Sequence, residues 1–229
     1  MLQDFLKLIP SYMQTIGLIV KGPKKFFSDV KYESKELYNK ALITASVSIV
    51  FNSFFMVRIL ELGHEGDTLY LYILQYVFVF VASYVIYSWV IYCSWRLVGS
   101  KEAFKPYFII TLYSASVSIV FATFALLASW GFVKTNFPEF LSFMIEDALK
   151  PSWNNIVPPE LQAQAVYSTL AFSIPFIVGI FWLFLCWGAY RKINQASKIR
   201  SFCALVISIV LTIPVGFIVM NMQNAVSPL

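Results

Sequence analysis

Apolar residues run along this chain in five long stretches, at roughly 41–61, 69–95, 107–130, 167–189 and 202–221, and polar residues collect in the gaps between them. A helix rises ~1.5 Å per residue, so ~20 apolar residues cross a ~30 Å hydrocarbon layer. The pattern predicts an all-α polytopic membrane protein, with five transmembrane helices forming one domain over residues 41–225. The first 40 residues follow a different rule. Leu2, Phe5, Leu6, Ile9, Tyr12, Met13 and Ile16 fall on one helical face, with Asp4, Lys7, Ser11 and Gln14 opposite. That spacing predicts an amphipathic helix lying in the membrane interface, open to a kink at Pro10 and ended by Gly22-Pro23. Phe26, Phe27, Val30, Leu37, Tyr38 and Ala41 share the face of a second amphipathic helix.

Charge adds orientation to this plan. Only 13% of residues are charged, against ~25% in average soluble domains. The cations alternate from gap to gap. Lys7, Lys21, Lys24, Lys25, Lys31, Lys35 and Lys40 precede the first stretch, Arg96, Lys101 and Lys105 follow the second, and Arg191, Lys192, Lys198 and Arg200 follow the fourth. The other side holds Arg58, Lys134 and Lys150. Because cytoplasmic loops carry the excess of Lys and Arg, the N-terminus is expected in the cytoplasm and the C-terminus outside. The net charge of +5 therefore reads as topology and not as nucleic-acid binding. Asp4, Lys7 and Pro10 interrupt the apolar N-terminus, so a cleavable signal peptide is not expected.

Polar and small residues within the stretches say how they pack. Thr44, Ser48 and Asn52 lie on one stripe of the first, facing other helices or lining a pathway. Tyr84 and Tyr87 sit deep in the second and need hydrogen-bond acceptors. Ser114, Ser118, Ala122, Ala125 and Ser129 form a small-residue seam on the third, suited to close backbone approach within the bundle or to a second copy. Pro175 and Pro214 interrupt the fourth and fifth, each freeing a backbone carbonyl that a neighbour must satisfy. Beyond the third stretch, residues 138–149 predict an interfacial helix through Phe140, Leu141, Met144 and Ala148, followed by an irregular loop around Trp153-Asn154-Asn155.

Reactive chemistry is thinly represented. The single histidine, His64, lies in a Gly-rich turn, too poor in fixed ligands for a metal. Cys93, Cys186 and Cys203 lack paired spacing and read as packed thiols, with acylation the alternative. No phosphate-binding loop or metalloprotease helix is present, so no cofactor, metal or catalytic set is expected. No acid, Lys or His lies centrally in any stretch, which disfavours ion-coupled transport but leaves a lipid-like substrate open.

Two segments resemble the Ypt-interacting-protein (Yip) family of five-pass membrane proteins. Lys21-Gly22-Pro23-Lys24-Lys25-Phe26-Phe27-Ser28-Asp29-Val30 is similar to the family's Pro-x-x-Phe approach to the first span. Trp95-Arg96-Leu97-Val98-Gly99-Ser100-Lys101-Glu102-Ala103-Phe104, with Tyr107 and Tyr113-Ser114-Ala115, is similar to its span-loop-span passage. The resemblance covers roughly residues 20–225 and implies the same five-span plan. Eukaryotic members are linked to small GTPases and early secretory traffic. This chain lacks their long hydrophilic N-terminal region and Asp-Leu-Tyr-Gly-Pro stretch, and looks more like the compact prokaryotic members.

The expected function is a non-enzymatic interaction or organising subunit in the bilayer, with a membrane-protein partner or a second copy. It would dock through Lys24, Lys25, Phe26 and Phe27 and through the seam. The alternative is a small transporter or lipid-handling protein whose path runs between the first, second and fourth spans, lined by Asn52, Tyr84, Pro175 and Pro214.

Overall fold

The computed structural model describes the chain apart from residues 1, 31, 61–65, 149–156 and 227–229, with backbone alone at 2–7, 54, 56–60, 66–73, 75–76, 145–148, 176 and 217–226. Among the described residues all regular structure is helical: α1 (Leu2–Lys21), α2 (Pro23–Asp29), α3 (Lys35–Leu60), α4 (Gly66–Leu97), α5 (Phe104–Asn136), α6 (Pro138–Ala148), α7 (Gln162–Ile193) and α8 (Lys198–Val226), with one 3-10 turn at Pro159–Leu161. The turn around His64, the pairing of Arg58 with Glu61 and the Trp153–Asn155 loop lie outside the described residues.

Among the described residues four helical stretches are long and apolar enough to cross a membrane: Val77–Leu97, Phe104–Asn136, Pro159–Ile193 and Lys198–Gly216. They match the second to fifth apolar runs of the sequence, and the chain is a multi-pass helical membrane protein on that basis. Helix α3 is not among these four, which are drawn from the described residues alone.

Helix α5 is the axis of the bundle. Between Tyr107 and Ile119 it is buried on nearly every side. Its principal neighbours are α7, α3 and α4, while α8 packs chiefly on α4. Helices α3 and α5 run in parallel, as the Tyr38–Phe108 ring contact at 6.2 Å and the Phe51–Phe124 contact at 5.9 Å require. The N-terminal segment shares this core. Tyr12, Ile16, Ile19 and Phe27 belong to one apolar cluster with Trp95, Tyr107, Tyr113 and Trp182.

The second amphipathic helix expected before the first span is in fact divided. Helix α2 stops at Asp29, and Val30 is extended with φ −81° and ψ 129°. Ser34 then starts α3, its Oγ accepting the Leu37 N–H at 3.4 Å. An N-cap hydroxyl satisfies one of the free amides at a helix start, and here it outweighs the apolar spacing that runs on through the break.

Candidate functional site

At one end of the bundle the α4–α5 and α7–α8 turns meet. Both preceding helices finish in the same way. Ser100 N–H bonds to Trp95 O at 2.9 Å and Gly99 N–H to Arg96 O at 3.0 Å; Ala196 N–H bonds to Arg191 O at 3.2 Å and Gln195 N–H to Lys192 O at 3.1 Å. This paired pattern satisfies the last carbonyls and needs a left-handed residue just past the helix. Gly99 (φ +89°) and Gln195 (φ +47°) supply it.

Asn194 ties the two turns together. Its Oδ1 accepts from Tyr107 OH at 2.6 Å and also from Ser100 Oγ, and its Nδ2 donates to Tyr190 O at 2.6 Å. One turn deeper, the Tyr190 and Thr111 hydroxyls lie 2.9 Å apart. Trp95 stacks on Trp187 at 5.7 Å, and Trp187 Nε1 donates to Ser201 of α8. Arg96 donates to Ser100 O at 3.1 Å, and Lys105 to Glu33 O at 3.0 Å. The result is a braced platform from which Lys21, Lys35, Lys40, Lys101, Arg191, Lys192, Lys198 and Arg200 project into solvent.

The expected docking residues divide on this platform. Lys24 and Lys25 are exposed, and the stem of Lys24 crosses Gly188 of α7. Phe27 is 2% exposed, and Phe26 packs edge-on against both Phe27 and Tyr113 at 5.2 Å. The two rings therefore fasten α2 to the bundle, and the cations are what remains outward. Phe26 on Tyr113 also brings together the two segments that carried the family resemblance.

The seam on α5 faces α7. Trp182 Nε1 donates to Ser114 O at 2.8 Å, and Ser118 Oγ lies against Gly179, 3.4 Å from where a Cβ would stand. Farther along, Ser129 Oγ donates to Ala171 O at 2.7 Å. Ala171 is the residue four positions before Pro175, so its carbonyl is the one that Pro175 leaves without an amide. Pro175 is buried at this contact. Ala122 and Ala125 are half-buried, and Ala125 opens onto an apolar groove of about 680 Å³ walled by Phe132, Tyr167, Leu170, Ile174 and Ile177.

Asn52 Nδ2 donates to Thr123 Oγ1, joining α3 to α5, with Thr44 and Ser48 also buried as the stripe predicts. Tyr84 is 5% exposed and makes no hydrogen bond through its hydroxyl, while Tyr87 is 38% exposed. The hydroxyls near Tyr84 are turned to backbone: Ser88 Oγ donates to Tyr84 O, and Ser116 Oγ to Leu112 O. Pro214 is exposed on α8. Of the four residues expected along a path, Asn52, Tyr84 and Pro175 are buried and Pro214 is exposed. Cys186 is buried on α7, Cys93 half-buried and Cys203 exposed, all with free thiols. Among the described residues no group of three or more His, Cys, Asp or Glu is placed to hold a metal ion.

The sequence singles out the segments holding Ser100, Tyr107 and Tyr12 but not their contacts, the bracing with Asn194 and the approach of the Tyr12 hydroxyl to 2.9 Å from Ser48 Oγ. Only Ser129 carried a usable signal, because the carbonyl freed by Pro175 demanded a donor from a facing seam. Neither a family model, a curated protein nor a solved structure matches the chain.

Proposed function

We propose that this chain is a non-enzymatic integral membrane protein that organises or assists a partner in the bacterial inner membrane. In this reading α3 is a fifth crossing helix, the basic end faces the cytoplasm and the chain ends outside. The likeness of the Lys21–Val30 and Trp95–Phe104 segments to the Yip family belongs to the same proposal. The observation that carries it is the braced platform. Asn194, Tyr107 and Ser100 hold two turns at fixed spacing, while the cations around them point outward. Charge displayed on a rigid frame suits recognition of an acidic partner surface, because little conformational entropy is lost on docking.

The test is capture of neighbours from native membranes in mild detergent. The tagged chain is expected to retain a membrane-protein partner or a second copy. Replacing Lys101 and Lys192 with Gln should reduce that recovery several-fold at low salt. A wild-type chain that captures nothing would count against the proposal.

A second reading, lipid handling, is favoured by the α5–α7 groove, whose walls are apolar and open. A lipid that co-purifies in stoichiometric amount, and is lost when Ala125 is replaced by Trp, supports it. Absence of any retained lipid removes it.

A further inference from the structure

We propose that α1 is an immersed strap, a helix that enters the apolar interior alongside α3 and α5 instead of lying on the membrane surface. Its latch is the hydrogen bond between the Tyr12 hydroxyl and Ser48 Oγ. Ser48 is fully buried and lies halfway along α3. Tyr12 and Tyr84, which is near the middle of α4, belong to the same buried cluster. A helix resting at the basic end does not bring its twelfth residue to that depth.

The outward side of α1 agrees. Thr15, Ile16 and Ile19 face the bundle, yet Met13 is 60% exposed, Leu18 52% and Val20 41%. The outward side also exposes Ser11 and Gln14, which are uncharged, but the large apolar side chains beside them would each cost roughly 25 cal/mol per square ångström in water. No charged residue lies between Lys7 and Lys21. At ~1.5 Å per residue that interval covers about 20 Å, enough to pass the middle of a ~30 Å hydrocarbon layer. Helix α1 touches α3 and α5, and α2 touches α7, so the two together close the opening between α3 and α7 over the Tyr113 face of α5. The N-terminus is thereby carried away from the basic end, against the expectation from the lysine pattern alone.

Spin labels at Met13 and Leu18, in a chain with Cys93→Ser, Cys186→Ala and Cys203→Ser, measure depth in vesicles of phosphatidylcholine and phosphatidylglycerol. Both should be open to oxygen and closed to a nickel chelate, with Met13 deeper than Leu18 by up to ~7 Å, the rise over five residues. Equal shallow depths, or access by nickel, would overturn the proposal. Tyr12→Phe should raise label mobility at Met13 and leave a label at Lys101 unchanged; an unaltered Met13 spectrum removes the latch. If the cysteine-replaced chain does not fold, a benzophenone residue at Met13 in the otherwise natural chain decides the matter. It should cross-link to lipid acyl chains, and a failure to do so contradicts immersion.

Discussion

Ser129 and Pro175 are a pair only because a proline cannot donate. The amide missing at Pro175 leaves Ala171 O open, and Ser129 Oγ fills it from the neighbouring helix at 2.7 Å. A buried carbonyl with no donor costs ~1–3 kcal/mol, while measured interhelical bonds in membranes average near ~0.6 kcal/mol. Ser129→Ala should therefore cost about 1 kcal/mol in reversible unfolding from mixed micelles. In a Pro175→Ala background the helix supplies its own N–H, and the same change should cost much less. Additive losses in that double-mutant cycle would contradict the account. The two turn residues give a second contrast. Gly99→Ala should destabilise by about 1 kcal/mol, because a side chain at φ +89° is strained. Gln195→Gly should stabilise by up to ~1 kcal/mol for the same reason in reverse. Both are read as shifts in the unfolding midpoint.

At the scale of elements, α5 and α7 meet where their side chains are smallest. Gly179 lets Ser118 approach to contact distance. Gly179→Leu should wedge the helices apart and cost on the order of 1–3 kcal/mol, with Ser118→Leu similar. Loss of a dimer with unchanged monomer stability in either variant would show that the seam faces a second copy. The seam was legible in the sequence as small residues at helical spacing, but not the surface it would meet, since spacing specifies a face and not its partner. The division between α2 and α3 was hidden for a related reason. Val30 and Leu37 continue the apolar register, and the cap at Ser34 is a local hydrogen bond that periodicity does not register. Phe26 and Phe27 read as an outward aromatic pair because nothing local says that Tyr113 lies opposite.

Across the whole molecule, the sequence pattern predicts five spans, and four of them are long and apolar among the described residues, because continuous apolarity has one physical meaning at that length. The basic turns were legible as charge, but their bracing through Asn194 depends on a contact between residues 94 positions apart in the case of Ser100. The polar groups of α3 marked its buried stripe, and Thr44, Ser48 and Asn52 are buried. These observations assemble into a bundle built on α5, with a rigid cationic platform at one end and Asn136 at the other. The proposed function requires α5 to cross the bilayer once, with the Lys101 turn on the cytoplasmic side and Asn136 outside. The direct measurement is cysteine labelling with a membrane-impermeant maleimide, using Lys101→Cys and Asn136→Cys separately in a cysteine-replaced chain in whole cells. Position 136 is expected to react in intact cells and position 101 only after permeabilisation. Reaction of both positions from the same side, or of 101 before 136, would contradict that expectation.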